Sequence, residues 1–195
     1  MDRLHEALER FRETFETARS SDEVSEPTAM TLATVSPGGS PSARTVLLKG
    51  FDHHGFVFYT NTRSRKGRHL AANPRAALTF LWAPIGRQIL IEGEAEFVSD
   101  AEADAYFASR PRLSQAGAWA SQQSESLDNK QSLEQRVAEI ETRYEGQAIP
   151  RPPHWTGYRI RPDLIEFWRA GDGRLHDRDR YWFEAGAWHY TLLNP

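Results

Sequence analysis

From Met30 onward the chain breaks into short β-prone runs separated by turn residues at hairpin spacing. This rhythm is the strongest constraint on its fold. MTLATV (30–35) is followed by the turn Ser36-Pro37-Gly38-Gly39-Ser40, then ARTVLLK (43–49), a turn at Asp52–Gly55, and FVFYT (56–60). AALTFLW (76–82) and RQILIEGEAEFV (87–98) flank a turn at Pro84–Gly86. WTGYRIR (155–161) and LIEFWR (164–169) precede a turn at Gly171–Gly173, and RYWF (180–183) and WHYTLL (188–193) flank one at Glu184–Gly186. Short linkers of this kind join antiparallel neighbours, because a parallel crossover needs a dozen or more residues.

Helical signals sit beside the strands and do not alternate with them. Leu4, Leu8, Phe11, Phe15 and Ala18 recur at helical spacing, and Ser20–Asp22 close that helix. Ser64 caps a short helix ending near Asn73-Pro74. Ser99 and Glu102 form a capping box for a helix that Pro111 stops, and Ser132 with Gln135 reads as a second box opening a helix that ends at Gly146. The expected class is mainly β (α+β), a closed antiparallel barrel with peripheral helices. The whole chain, 1–195, reads as one domain: an N-terminal helix (1–25), barrel strands (26–98), a helical segment (99–149) and C-terminal strands (150–195).

Composition narrows the chemistry. With no cysteine, the chain has no disulfides, cysteine–zinc sites, iron–sulfur ligation or cysteine nucleophile. No apolar run reaches membrane-span length, so a cytoplasmic location without membrane contact is expected. The net charge of −3 hides an asymmetry. Residues 44–88 carry eight Lys and Arg against one acid, Asp52, whereas the first thirty residues carry eight acids against four Arg. A cationic centre in an acidic protein suits an anionic ligand better than nucleic acid, since overall basicity and interleaved aromatics are lacking.

Four clusters can carry that chemistry, and each has a plainer reading as a solvated surface. Arg174, His176 and Arg178 would share one face of an extended segment, crowding positive charge there. Tyr106, Arg110 and Ser114 converge at a helix end as a phosphate cradle. Arg44 and Lys49, five residues apart on a strand, point to opposite faces and so to two anions. Ser64-Arg65-Lys66 opens a helix, where backbone N–H groups already favour an anion. The glycines at 38 and 39 precede no helix, His53-His54 has no metal-spaced carboxylate, and there is no nucleophile elbow. No metal site is expected, and an enzyme with this inventory draws its reactivity from a cofactor.

The ordered motifs EPTAM (26–30), RTVLLK (44–49), FYTN (58–61), SRK (64–66), YFASRPRLSQAGAW (106–119), QS (123–124), IEFW (165–168) and RLHDR (174–178) resemble the pyridoxamine 5′-phosphate oxidases. The resemblance runs from about Glu26 to the C-terminus. It implies a split β-barrel and a homodimer with FMN at the subunit interface. The implied reaction is oxidation of pyridoxamine or pyridoxine 5′-phosphate to pyridoxal 5′-phosphate, with dioxygen reduced to hydrogen peroxide. Carried over by position, Arg44, Arg65 and Lys66 are phosphate and ribityl contacts of FMN. The backbone of Thr45, Val46, Leu47, Leu48 and Lys49, with Tyr59 and Thr60, lies along the flavin. Gln88, Gln123, Ser124, Trp168 and Arg178 are further FMN contacts. Lys49, Tyr106, Arg110 and Ser114 hold the substrate phosphate. Arg174, Leu175 and His176 contact the substrate, with Arg174 and His176 as catalytic residues over its ring. Arg169 departs from the family pattern of Gln, His or Gly after the tryptophan. The alternatives are a sister flavin oxidase of the phenazine-biosynthesis type and a non-catalytic FMN- or pyridoxal-phosphate-binding protein.

Overall fold

The computed structural model describes residues 2–195. Its elements run α1 (Arg3–Arg19), β1 (Ala29–Val35), β2 (Pro41–Leu47), β3 (Gly50–Asp52), β4 (Gly55–Asn61), α2 (Arg65–Ala72), β5 (Arg75–Trp82), β6 (Arg87–Phe97), α3 (Asp100–Ser109), α4 (Arg112–Ala120), α5 (Lys130–Arg143), β7 (Trp155–Arg169), β8 (Asp177–Glu184) and β9 (Ala187–Leu192). All strand pairings are antiparallel, in the order β2-β1-β5-β6-β7-β4-β3, with β8 on β7 and β9 on β8. This is the split-barrel architecture that the family resemblance implies; the closed barrel suggested by the hairpin rhythm stays open, because β2 and β3 do not pair.

The split originates in β7. Its first half, Trp155–Ile160, pairs with β4, and its second half, Leu164–Arg169, pairs with β8, while β6 runs along both. The sequence suggests two strands here, with Pro162 between them, but the strand is continuous. Register shifts opposite Glu92 and Gly93, so Asp163 is an extra residue and Pro162 sits at a bulge, where a missing N–H is tolerated.

The sheet curls without closing, because β2 and β3 end the order unpaired with each other. β2 ends at Leu47, two residues earlier than expected. Leu48 N–H then donates to Thr28 O (2.8 Å) and Lys49 N–H to Val57 O (2.8 Å), so the chain steps from the β1 side to β4 within two residues. A seam remains between β2 and β4.

α1 fills the concave side. Asp2 caps it by accepting from Leu4 N–H, and Ala7, Leu8, Phe11, Phe15 and Ala18 are buried. The Phe11 ring lies 4.7–5.3 Å from those of Phe51, Phe56 and Phe80. Full burial of one such side chain stabilises the fold by roughly 1.5–3 kcal/mol. A second cluster, around Phe107, Ala116, Ile149 and Trp155, joins the helical segment to the barrel.

Three local expectations are corrected. Pro111 ends α3 but also serves as the N-cap of α4, a helix the sequence reading missed, since proline is compatible with a helix start. α5 is capped by Asn129, which accepts from Ser132 N–H at 2.9 Å; the Ser132–Gln135 capping box does not form. Residues 174–178 are not one extended segment. Arg174 ends a 3-10 turn at φ 65°, and β8 begins only at Asp177.

Candidate active site

The seam between β2 and β4 opens into a cleft of about 490 Å³. β2 contributes Thr45, Val46 and Leu47, β4 contributes Tyr59, Thr60 and Asn61, and Lys49 stands where the chain steps across. α2 supplies Lys66, α3 supplies Tyr106, and Arg110 and Ser114 come from the α3–α4 corner. Gln123 and Trp155 complete the lining used below. Among the described residues, no acidic side chain lines this cleft.

At one end the cations collect. Lys66 is buried and donates to Thr60 Oγ1 (3.1 Å) and Gln123 Oε1 (3.0 Å). Burial, reinforced by the nearby Arg44 charge, pulls its ammonium down to about 8. Burial and the Arg65 charge also lower Arg44. Neither Arg44, Arg65 nor Lys66 has a carboxylate partner within 4 Å among the described residues. Ser64 caps α2 through Gly67 N–H at 3.3 Å. Gly67 is required there, because a Cβ would lie 2.2 Å from Thr62 O. Arg65 N–H donates to the hydroxyl of Ser124, a residue held at φ 76°. Arg44 and Ser124 therefore flank the cleft rather than line it, and the Leu48 side chain is buried in the barrel core.

At the other end the α3–α4 corner builds a cradle. Gln115 Nε2 donates to the carbonyls of Phe107, Ala108 and Arg110 (3.0–3.2 Å), fixing the corner's shape. The Arg110 guanidinium lies 4.8 Å over the Trp155 ring, and its Nη1 is buried without a hydrogen-bond partner. Burial lowers its pKa. Tyr106 stacks on Tyr59 at 4.0 Å. Tyr59 needs a glycine opposite it, since a Cβ at Gly157 would lie 2.8 Å from its ring. Burial, with the Glu102 charge second, pushes the Tyr59 hydroxyl up to about 12, so it stays protonated.

The remaining expected residues lie elsewhere on the chain. Gln88 and Trp168, cross-strand partners on β6 and β7, line a second cleft of about 490 Å³ beside α1. His176 packs on Trp168 at 4.6 Å, and its Nδ1 accepts from Gly171 N–H at 3.2 Å. Arg174 is exposed and Leu175 is 75% exposed. Arg178 donates to Glu166 (2.8 Å) and to Asn194 O (3.1 Å), so its charge is paired and not stacked beside Arg174. Arg169 is paired with Asp177. The two clefts share no lining residue.

Trp155 and Asn61 were not singled out from the sequence. Trp155 carried a signal, an aromatic beginning the strand that faces FYTN, but its role as a floor for Arg110 depends on a contact 45 positions away in the chain.

Two family profiles cover nearly all of the chain. The one described as pyridoxamine 5′-phosphate oxidase matches residues 17–144, and the one described as pyridoxine 5′-phosphate oxidase C-terminal dimerisation region matches residues 155–195. The chain belongs to the pyridoxamine 5′-phosphate oxidase family. A pyridoxine/pyridoxamine 5′-phosphate oxidase of Alkalilimnicola ehrlichii is 56% identical over 196 residues, covering 100% of both chains. One from Myxococcus xanthus is 56% identical over 188 residues, 96% of this chain and 91% of that one. Among solved structures, PhzG from Burkholderia lata, in complex with tetrahydrophenazine-1-carboxylic acid, superposes with a TM-score of 0.87 at 36% identity, over 96% of this chain and 90% of that one. A pyridoxamine 5′-phosphate oxidase-related FMN-binding protein of Nostoc punctiforme (TM-score 0.74, 17% identity, 95% of each chain) shares the fold. The chain is thus an oxidase of this family. No helix among the described residues is long and apolar enough to cross a membrane.

Proposed function

We propose that the protein is an FMN-dependent oxidase that converts pyridoxamine 5′-phosphate, pyridoxine 5′-phosphate or both to pyridoxal 5′-phosphate. The observation that carries this reading is the acid-free cleft with unpaired cations at both ends, above all the buried, partnerless Nη1 of Arg110. An unpaired guanidinium N–H is costly to bury, and a phosphate oxygen satisfies it with a charge-assisted bond. Arg44, Arg65 and Lys66 fit the phosphate of FMN, and Lys49, Tyr106, Arg110 and Ser114 fit that of the substrate. Each phosphate carries about −1.5 to −2 at neutral pH, which suits the cationic centre of the chain.

FMN held by these residues would supply the redox chemistry, accepting a hydride from the substrate's C4′ with the two electrons going on to dioxygen as hydrogen peroxide; for the amine substrate, water would then displace ammonia from the resulting imine. The chain's own work is binding and orientation. Anchoring the phosphate at the α3–α4 corner fixes the ring relative to β2 and β4, and such positioning can supply several orders of magnitude in rate. Arg174 and His176 belong over that ring. Since they line no part of this cleft, we place them there from a second copy of the chain, with Gln88, Trp168 and Arg178 completing the flavin's other side. The match of residues 155–195 to a dimerisation region supports this homodimer.

The test is direct. The purified protein is expected to be yellow and to release peroxide with either phosphorylated vitamer. A colourless protein that stays inactive with added FMN would overturn the assignment. The likeness to PhzG favours one second reading, oxidation of a carboxylated tricyclic substrate. Turnover of such a compound, with none of the phosphorylated vitamers, would select it.

A further inference from the structure

His69 lies outside both clefts, is 6% exposed, and has no part in the proposed chemistry. Its Nδ1 is 3.1 Å from Thr34 Oγ1, and Thr34 is 1% exposed. The same hydroxyl accepts from Arg44 Nη1 at 2.7 Å. Arginine only donates, so the Thr34 oxygen is the acceptor in that bond and its own proton needs an acceptor elsewhere. His69 Nδ1 is the side-chain acceptor that the described residues place there. A hydroxyl donating to Nδ1 satisfies that proton, and it requires the neutral Nε2–H tautomer of the ring.

We propose that His69 is a positioning residue for Arg44, acting through the Thr34 hydroxyl to aim the guanidinium at the cofactor phosphate. This rests on the reading that Arg44 holds that phosphate. Arg44 Nη1 also donates to Leu32 O (3.1 Å), and Nη2 donates to Ser42 Oγ (2.8 Å). Three of its five N–H groups are thus held inward, leaving Nε–H and one Nη2–H for an anion. His69 belongs to α2, whose first turn carries Arg65 and Lys66. The relay consequently ties both flanks of the anion site together across β1. The charged groups around His69 are Arg44 from β2 and Arg65 and Arg68 from α2. Burial first, and then these cations, lower its pKa and keep the Nδ1 lone pair available.

The test titrates full-length, flavin-stripped protein with FMN and with riboflavin, read by flavin fluorescence. His69→Leu and Thr34→Val are each expected to weaken FMN about fivefold, the worth of one hydrogen bond, while leaving riboflavin unchanged. The double variant should be no weaker than either single one, because all three remove the same relay. His69→Asn, whose amide oxygen accepts near the Nδ1 position, should restore FMN binding to within about twofold. That rescue also distinguishes positioning from packing if the leucine variant folds poorly. Unchanged FMN affinity in Thr34→Val, equal loss of FMN and riboflavin, or additive losses would overturn the relay. Arg44→Ala tests the underlying reading separately: if it weakens FMN no more than riboflavin, Arg44 does not hold the phosphate.

Discussion

The α3–α4 corner and the turn at residues 170–176 both carry residues expected to touch substrate, yet they are built in opposite ways. Arg110 is held from below by Trp155 and from the side by Phe107 (5.6 Å), and Gln115 pins the corner's carbonyls. Arg174 sits exposed at φ 65° beside Gly173 at φ 59°, and the neighbouring Leu175 is 75% exposed. A left-handed arginine costs about 1 kcal/mol or more, offset in part by the turn's own bonds from Leu175 N–H to Asp172 O and from His176 N–H to Arg174 O, both 3.0 Å. The corner is organised before any ligand arrives. The turn is exposed, and in the proposed reading a second copy of the chain covers it. In that reading, binding power resides in the corner, and ring positioning in a turn that acts across the dimer.

The largest expected effect breaks the corner. Arg110→Ala should raise KM for the phosphorylated substrate about a hundredfold, as expected for losing a charge-assisted, two-point contact. The melting temperature should fall by only a few degrees, because the guanidinium loses its stacking on Trp155 but its Nη1 has no internal hydrogen-bond partner to lose. Steady-state kinetics beside a thermal melt checks both, and an unchanged KM would remove Arg110 from the cradle.

Arg174→Ala should lower kcat/KM tenfold or more with FMN retained, and mixing tests the cross-dimer placement itself. Hybrid dimers of Arg110→Ala and Arg174→Ala chains carry one doubly damaged and one intact site if the two residues act across the interface. A random one-to-one reassembly should then recover about a quarter of wild-type activity. If both residues act within one chain, mixing recovers nothing above the parents' average.

The same contrast separates what the sequence made legible from what it did not. Hairpin spacing, the amphipathic run from Leu4 to Ala18 and the Ser64 and Ser99 caps are local signals, and each appears in the structure. The Tyr106–Arg110–Ser114 convergence was legible as well, since it spans a single corner. Long-range partners were hidden. Glu166 neutralises Arg178 because a hairpin brings β8 onto β7, and local spacing showed only Arg174, His176 and Arg178 at alternate positions. Trp155 becomes the floor of the cradle through pairing of β4 with β7. α4 was masked by Pro111, which ends one helix and starts the next.

Trp155→Leu sharpens the comparison from the packing side. A cation over an indole ring contributes about 0.5–2 kcal/mol, so KM should rise roughly three- to tenfold with kcat nearly unchanged. The loss should be smaller than that of Arg110→Ala and absent in the Arg110→Ala background, because the two residues act as a unit. A kcat loss larger than the KM change would show that Trp155 also orients the ring.

At neutral pH the smallest effect is that of protonation at the flavin-phosphate end, where burial pulls the Lys66 ammonium of the flavin-free protein down to about 8. A bound phosphate favours the charged ammonium and raises its pKa, so binding takes up a proton wherever free Lys66 is neutral. FMN affinity should be nearly flat below pH 8 as far as this residue is concerned. It should weaken as pH rises above 8, by up to about tenfold per unit until the raised pKa of the complex is reached. Lys66→Arg, which stays charged throughout, should remove that slope while retaining FMN selectivity over riboflavin. The measurement is the dissociation constant for FMN between pH 7 and about 9.5, in wild type and variant. An equal slope in both proteins would mean that burial of Lys66 leaves no trace in cofactor binding, and that the flavin-phosphate end reads its phosphate through Arg44 and Arg65 alone.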